Sequence, residues 1–212
     1  MIKGNLIIVS SPSGGGKGTL IKEVLKSVPD IGYSVSFTTR QARGAEINGK
    51  DYFFVNRAEF ENLIEQGEFL EHAEVHGNFY GTSVQQIKRE IELGRDIILE
   101  IDVQGAASVR AKVPEAVSIF ILPPSYEVLE ERLINRATEK NEDLALRLKN
   151  SFTEVGRYEE FEYIIINNEV TKATNDLRSI ILAERLKRIR QSRAIRVILD
   201  SFDASKISNR GD

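Results

Sequence analysis

A glycine-rich segment near the N-terminus has the residue types and spacing that best fit a chemical role. It reads SPSGGGKGT, directly after the apolar run 6–9 and directly before a helical pattern that starts at Leu20. A buried strand, a glycine turn and a helix start direct backbone N–H groups at one spot, where Lys17 adds a positive charge. The segment therefore predicts a phosphate cradle. Its members are Ser11, Pro12, Ser13, Gly14, Gly15, Gly16, Lys17, Gly18 and Thr19.

The segment departs from the strict phosphate-loop pattern G-x-x-x-x-G-K-[ST] at two positions. Ser11 stands where the first glycine is expected, and Gly18 stands where a magnesium-binding hydroxyl is expected. The alternative interpretation is a flexible glycine turn with one exposed lysine. The strand and helix signals on either side favour the phosphate cradle.

Arg40 and Arg43, with Tyr52 nearby, form a second candidate phosphate site. Guanidinium groups bind phosphate through paired N–H donors, and each charge-assisted hydrogen bond contributes roughly 1.5–3 kcal/mol. A solvated basic loop would explain the same residues equally well. The segment alone leaves both interpretations open.

Glu71 and Thr82 are the side-chain types that a guanine-selective pocket needs. A carboxylate accepts hydrogen bonds from the ring N1–H and the amino group, and a hydroxyl donates to O6. Adenine would leave both partners unpaired, and sites built from buried hydrogen bonds reject such analogues by a factor of roughly 10⁴. The sequence does not decide whether the two side chains converge.

Glu100 and Asp102 lie at the end of the apolar run 97–101. Alternate residues of a strand point to the same side, so the two carboxylates can share a face beside the phosphate cradle. In that position carboxylates hold magnesium, its waters or a substrate. The alternative is a pair of strand-end acids in solvent.

The elements that must position these residues alternate between strand and helix. Short apolar runs predict strands that are buried on both faces of a parallel sheet, and helical patterns lie between them. This alternation favours right-handed crossovers and a doubly wound α/β core, in which ligands bind beyond the carboxyl ends of the strands. The runs are 6–9, 33–37, 97–101, 118–122 and 163–166, and the helical patterns are 20–26, 84–93 and 126–135.

Two segments interrupt the alternation. Residues 36–82 contain short strand-like pieces and a helix from about Arg57 to Gly67, which predicts a small inserted lobe. Residues 132–157 are charged and helical, as expected of a lid. A last long helix is predicted over 173–198 with one face on the core. We expect a single domain, 1–212, with a core of 1–35, 83–125 and 158–212, a lobe of 36–82 and a lid of 126–157.

Composition excludes several classes of protein. The 212 residues suffice for one substantial core, and the absence of cysteine excludes disulfides, thiolate metal sites and a cysteine nucleophile. No apolar run approaches the ~20 residues of a membrane span. The chain enters a strand directly after its first residues, so we expect a cytoplasmic protein without a signal peptide. A net charge of -3 argues against nucleic acid as a partner.

With these pieces in order, the chain resembles the bacterial guanylate kinases from Leu6 to about Arg190. Several independent blocks in one order are more specific than any single loop. The blocks are SSPSGGGKGT at 10–19, SVSFTTR at 34–40, NGKDYFF at 48–54, FLEHA at 69–73, GNFYG at 77–81 and IDVQG at 101–105.

The resemblance implies a P-loop kinase fold with an inserted GMP-binding lobe and a helical lid, and the magnesium-dependent reaction ATP + GMP ⇌ ADP + GDP. It implies catalytic roles for Lys17, Arg40, Arg136 and Arg147, and ATP binding by residues 11–19 with Arg132 and Arg136. It implies GMP binding by Ser36, Arg40, Arg43, Tyr52, Glu71, Tyr80, Thr82 and Asp102. Mg²⁺ is expected mostly on water and phosphates, near Thr19, Glu100 and Asp102, in a monomer or homo-oligomer.

Some residues differ from the family pattern. Glu100 replaces the usual aspartate, and the turn 42–45 lacks residues usual around the second arginine, which predicts a looser turn. Three alternatives compete with a guanylate kinase. They are a non-catalytic module that binds peptides through the same lobe, a nucleoside monophosphate kinase for another base, and a nucleic-acid-binding protein that uses the basic C-terminal helix.

Overall fold

The computed structural model of the protein describes residues 4–75, 77–136 and 141–202. The strands are β1 (Leu6–Ser10), β2 (Ile31–Tyr33), β3 (Phe37–Thr38), β4 (Phe53–Phe54), β5 (Phe69–Val75), β6 (Asn78–Ser83), β7 (Asp96–Glu100), β8 (Val117–Leu122) and β9 (Tyr163–Ile166). The helices are α1 (Lys17–Ser27), α2 (Arg57–Glu65), α3 (Val84–Glu92), α4 (Val103–Lys112), α5 (Tyr126–Arg136), α6 (Asn141–Val155), α7 (Val170–Leu186) and α8 (Ser192–Ser201). A 3₁₀ turn spans Tyr158–Glu160.

A parallel sheet with the strand order β2-β7-β1-β8-β9 forms the centre of the fold. Because side chains alternate along a strand, β1 sends Ile7 and Val9 to one face and Leu6 and Ile8 to the other. Helices α1 and α7 cover the first face, and α3 and α4 cover the second. The sequence-based prediction of a doubly wound α/β core is confirmed.

A second sheet with the order β4-β3-β6-β5 is inserted between β2 and α3. Its core is aromatic: Phe60 of α2 is fully buried, with its ring 4.7 Å from that of Phe69 and 5.5 Å from that of Phe79. Antiparallel pairing of β5 with β6 sets Glu71 opposite Thr82, next to an irregularity between Phe69 and Glu71. This pairing brings together two residues that the sequence analysis could only name separately.

The strand predicted over 33–37 is wrong, because that run divides between the two sheets. Tyr33 ends β2 beside β7, and Phe37 begins β3 beside β6. A continuous apolar run has the same local signal whether it stays in one sheet or crosses to another. The chain turns away at residues 34–36, the point where the inserted sheet begins.

The single long helix predicted over 173–198 is also wrong. Helix α7 ends at Leu186 and α8 starts at Ser192, with Lys187 in a non-helical conformation between them. Leu186 and Ile189 are 72% and 77% exposed, so the apolar pattern continues past the last core contact of the helix. No glycine or proline marks the break in the sequence.

Helices α5 and α6 cross above the glycine-rich segment. Leu129 and Leu133 of α5 are buried, and their side chains lie against Gly14. The boundaries assigned to lobe and lid stay predictions. Within the ranges that the structure describes, none of the helices has both the length and the apolar character that a membrane crossing requires.

An ion pair fastens α7 to the start of β7 in the parallel sheet. Arg185 Nε donates to Asp96 Oδ2 at 2.6 Å, and its Nη2 donates to the carbonyl of Pro29. Asn5 donates to the other oxygen of Asp96 from its backbone N–H and its side chain. Asp96 is buried, and these hydrogen bonds engage both of its carboxylate oxygens.

We expect Arg185→Met to lower the free energy of unfolding by about 3 kcal/mol, since the buried Asp96 loses its cation. Urea denaturation followed by circular dichroism measures this. Arg188→Met is the matched control, because Arg188 lies exposed beyond the end of the same helix. Equal stability of the two variants would contradict the assignment of Arg185.

Candidate active site

One cleft of about 620 Å³ opens at the carboxyl ends of the central strands, between the glycine-rich segment, the inserted sheet and α5 and α6. It brings together most residues predicted from the sequence. These are Ser11, Pro12, Ser13, Gly14, Gly16, Lys17, Gly18, Thr19, Ser36, Arg43, Tyr52, Glu71, Tyr80, Glu100, Asp102, Arg132 and Arg147. Gly15, Arg40 and Thr82 are not among the lining residues, and the side chain of Arg136 lies outside the described residues.

The glycine-rich segment has the backbone conformation that a phosphate cradle requires. Gly14 and Gly16 have φ values of 83° and 92°, which favour glycine. Gly16 caps α1 without a side chain, so the first N–H groups of the helix are left for a ligand rather than for a cap. Ser11 fits in the first position, buried against Gly15.

Asn167, which the sequence analysis missed, holds the segment in place. Its Nδ2 donates to the carbonyl of Gly15 at 2.9 Å, and a Cβ atom on Gly16 would lie only 2.4 Å from the same nitrogen. Arg132 Nη2 donates to the backbone carbonyl of Asn167 at 2.9 Å. The one available signal was the position of Asn167 just after β9, at the edge of the sheet where ligands bind.

Two polar atoms on this side of the cleft are buried without a protein partner. Within the described ranges, neither Asn167 Oδ1 nor Arg132 Nη1 has a hydrogen-bond partner. Buried polar groups in proteins are nearly always paired. An acceptor and a donor together therefore favour a polar ligand beside the glycine-rich segment.

Glu100 and Asp102 both line the cleft, as their spacing predicted. Glu100 Oε1 lies 3.9 Å from Lys17 Nζ, and the hydroxyl of Tyr33 donates to its other oxygen at 3.1 Å. Burial, with the charge of Glu100, raises the pKa of Tyr33, which keeps that hydroxyl a donor. Asp102 caps α4 by accepting the N–H of Gly105 at 2.8 Å.

These acids suit a magnesium ion that is shared with a substrate. The described part of the chain has no cluster of three or more His, Cys, Asp or Glu residues that could enclose a metal. Mg²⁺ keeps several waters and is held by one or two carboxylates plus substrate phosphates. Glu100, Asp102 and the hydroxyl of Thr19 fit that pattern.

Glu71 and Thr82 converge in the inserted sheet. Both are buried, and the Thr82 hydroxyl donates to Glu71 Oε1 at 2.5 Å. A Cβ atom on Gly105 would lie 2.9 Å from the other oxygen of Glu71, so glycine at that position makes room for the carboxylate. Burial raises the pKa of Glu71 to about 7, with Asp102 adding to the rise and the Thr82 hydrogen bond opposing it.

The two arginines of the inserted lobe differ in position. Arg43 lines the cleft with Tyr52 and Tyr80. Arg40 lies over the ring of Tyr52, at 5.2 Å from its centre, and forms a two-point ion pair with Glu46. Arg40 is thus a partly buried neighbour of Tyr52 in the cleft wall.

Helix α6 is joined to the glycine-rich segment through Ser13. The Glu154 carboxylate accepts a hydrogen bond from the backbone N–H of Ser13 at 3.0 Å. The hydroxyl of Ser151 donates to the backbone carbonyl of Ser13 at 3.4 Å. Arg147, from the same helix, lines the cleft. Glu154 also lines the cleft and was missed, since nothing local to 151–154 indicates a partner in a loop so distant in the sequence.

Comparison with known proteins gives this cleft a family. A family model described as guanylate kinase matches residues 3–184, which is most of the chain. The chain belongs to the guanylate kinase family. The resemblance stated from the motifs is confirmed, and the protein has the P-loop kinase fold of that family.

Curated relatives match over nearly their full length. A guanylate kinase of Escherichia coli K12 is 48% identical over 193 residues, 90% of this chain and 93% of the relative. A guanylate kinase of Legionella pneumophila strain Paris is 46% identical over 184 residues, 87% of this chain and 88% of the relative.

A solved structure supports the same family assignment. The crystal structure of guanylate kinase from Anaplasma phagocytophilum is 36% identical and superimposes with a TM-score of 0.79, covering 95% of this chain and 96% of that one. The fold of this family member is therefore shown independently of the motifs. The role of each side chain stays a prediction.

The raised pKa of Glu71 predicts a pH-dependent stability. Because the folded-state pKa of about 7 exceeds the ordinary value of 4.5, protonated Glu71 stabilises the fold, and that contribution is lost as pH rises from 4.5 through 7. The free energy of unfolding of Glu71→Gln should therefore rise by about 2.5 kcal/mol relative to that of the unchanged protein between pH 5 and pH 8.

Denaturation in urea at pH 5, 6, 7 and 8 measures this difference. Glu74→Gln is the control, since Glu74 is exposed on the same strand and should show no such trend. A difference between Glu71→Gln and the unchanged protein that stays constant with pH would contradict the raised pKa.

Proposed function

We propose that this member of the guanylate kinase family transfers the γ-phosphoryl group of ATP to GMP and releases ADP and GDP. The observation that carries the proposal is the single cleft in which the glycine-rich segment, Arg43 and the buried Glu71 meet. The glycine-rich segment supplies a site for a donor phosphate, the arginine a site for an acceptor phosphate, and Glu71 a group that distinguishes bases. The curated relatives bear the name guanylate kinase.

On the donor side, Lys17 and the N–H groups at the start of α1 bind the ATP phosphates. Arg132 and Arg147 approach from α5 and α6, and we assign Arg136 of α5 to the same group from the family resemblance. The unpaired Asn167 Oδ1 and Arg132 Nη1 meet polar atoms of the donor nucleotide. These contacts hold the γ-phosphoryl group for in-line attack.

On the acceptor side, ionised Glu71 accepts hydrogen bonds from N1–H and the amino group of guanine. Ser36 and Asp102, which line the same cleft, complete the base contacts. Thr82 acts through Glu71, because its hydroxyl is engaged there. A base that lacks the N1 proton leaves Glu71 with Thr82 as its donor but without a donor from the base, which is the physical basis of selectivity.

In the transfer, an oxygen of the GMP phosphate forms a bond to the γ-phosphorus while the bond from that phosphorus to the β–γ bridging oxygen breaks. The electron pair of the broken bond remains on ADP, and no covalent enzyme intermediate is needed. Lys17 and the arginines stabilise the charge that spreads over the transferred group. Arg43, Tyr52 and Tyr80 hold the attacking phosphate, and Arg40 joins them through the N–H groups that Glu46 and Gln41 leave unused.

Glu100, Asp102 and Thr19 would hold Mg²⁺, mostly through water. When bound, the ion would neutralise charge on the β- and γ-phosphates. The extra methylene of Glu100 brings its carboxylate to within 3.4 Å of where a Cβ atom on Gly18 would lie. Glu100 thus reaches toward the space that a hydroxyl at position 18 would otherwise occupy.

Two alternatives are less well supported. A non-catalytic protein-binding module does not need Lys17, Arg43 and Arg147 around one cleft, and these residues are present. A nucleoside monophosphate kinase that is selective for another base would not need the buried carboxylate of Glu71 in its base pocket. We further propose a cytoplasmic enzyme that acts on small nucleotides, with neither nucleic acid nor membrane as a partner.

Release of ADP from MgATP with GMP, dGMP, AMP, CMP or UMP tests the proposed reaction. Turnover that depends on GMP or dGMP is expected. A rate with AMP equal to that with GMP would contradict the base assignment. Absence of any nucleotide-dependent turnover would favour the non-catalytic module.

We expect Lys17→Ala to lower kcat by about 10²–10³-fold, since the developing phosphoryl charge loses its nearest cation. Steady-state kinetics with saturating ATP and GMP measures the change. Lys26→Ala is the control, because Lys26 is exposed at the far end of α1 and pairs only with Glu23 among the described residues. Near-normal turnover in Lys17→Ala would remove this residue from the catalytic set.

We expect Glu71→Gln to reduce the preference for GMP over AMP by at least about tenfold while leaving phosphate binding largely intact. The ratio of kcat/KM values for GMP and AMP measures the preference, and Glu74→Gln again serves as control. An unchanged ratio would show that another group selects the base.

A further inference from the structure

Glu46 contacts both Arg40 and Arg43, the two arginines of the proposed site for the acceptor phosphate, although no role has been assigned to it so far. Its Oε1 accepts from Arg40 Nη2 at 2.9 Å, and its Oε2 accepts from Arg40 Nη1 at 3.0 Å. The second oxygen also accepts the backbone N–H of Arg43 at 2.8 Å. One carboxylate thereby joins the side chain of the first arginine to the backbone of the second.

These bonds restrain the turn that the sequence analysis expected to be loose. The backbone N–H of Glu46 donates to the carbonyl of Arg43, and Arg40 Nη1 donates to the carbonyl of Gln41 at 2.7 Å. The ring of Tyr52 supports the guanidinium from one side. The hydrogen bonds and the charge of Glu46 therefore hold the turn 42–45 in place, although this turn lacks the residues that are usual around the second arginine.

The donors of Arg40 divide into two edges. A guanidinium has five N–H donors in a fixed plane. Glu46 and Gln41 use both donors of Nη1 and one of Nη2. Glu46 and Gln41 leave Nε and the second donor of Nη2 unused, and a hydrogen bond with Tyr80 also raises the pKa of Arg40, which places Tyr80 of the cleft wall beside this guanidinium. Two N–H groups on one edge match the oxygens of a phosphate.

The charge balance favours the same arrangement. The side chain of Arg40 is only 10% exposed, so its cation needs a nearby anion at all times. Arg40 lowers the pKa of Glu46, and Glu46 raises the pKa of Arg40, so both stay charged across the working pH range. Glu46 keeps Arg40 paired before the substrate phosphate arrives.

We infer that Glu46 is a positioning residue for the acceptor phosphate: it holds Arg40 by one edge and Arg43 by its backbone, so that the other edge of Arg40 and the side chain of Arg43 meet the phosphate. This inference rests on the proposed function, since it takes GMP as the acceptor. Glu46 itself touches no substrate. Its removal should weaken binding of the phosphate and leave binding of the base unchanged.

The test measures binding of GMP and of guanosine to Glu46→Gln by titration calorimetry, together with KM for GMP and for ATP. We expect the affinity for GMP to fall about tenfold, as for the loss of a charge-assisted contact. Guanosine affinity and KM for ATP should not change. Glu46→Asp, which keeps the charge on a shorter side chain, should recover part of the loss.

Glu61→Gln is the matched control, since Glu61 pairs with Arg57 on the exposed face of the same lobe. Circular dichroism checks that each variant folds, and Glu46→Asp replaces Glu46→Gln in the comparison if the latter does not fold. An unchanged affinity for GMP would overturn the inference, and a higher affinity would show that Glu46 competes with the phosphate. Failure of the unchanged protein to bind GMP would instead contradict the proposed function.

Discussion

Parallel pairing of β1 with both of its neighbours is the constraint on which the rest of the structure depends. Val9 lies beside Glu100 of β7, and Ser10 lies beside Phe120 of β8. Because parallel strands end at the same edge, the glycine-rich segment, the two acids and Asn167 all emerge together. The apolar side chains of β1 are buried on both faces, against α1 and α7 on one side and α3 and α4 on the other.

Carboxylates orient the cations and N–H groups around the cleft, although the ligands proposed for the cleft are themselves anions. Glu46 holds an arginine, Glu154 holds a backbone N–H of the glycine-rich segment, and Glu100 lies beside Lys17. Each of these acids lies beside an N–H group or a cation. The protein thus orients its positive groups with its own negative ones and presents their remaining donors to the cleft.

Much of the fold followed from local signals. The segment 6–27 was predictable because a buried strand, left-handed glycines and a helix start are all short-range features. Helix α4 was not anticipated, since its small side chains and its two-sided contacts leave no clear apolar stripe. The predictions for the run 33–37 and for the end of α7 were wrong for a related reason. An apolar pattern does not show which sheet or helix a segment packs against, or whether it is buried at all.

The amino-acid sequence by itself determined the chemistry available: the phosphate cradle, the arginines and tyrosine of the inserted lobe, and the strand-end acids. Its blocks also sufficed to identify the family. Only the tertiary structure decided that Glu71 meets Thr82, that Asn167 holds Gly15, and that Glu154 reaches Ser13. The contacts of Asn167 and Glu154 join residues 152 and 141 positions apart, and that of Glu71 with Thr82 spans the antiparallel pair β5–β6. All three form only after strand pairing and helix packing bring the partners within hydrogen-bonding distance. No local pattern encodes them, because each side chain alone would look like an ordinary polar residue.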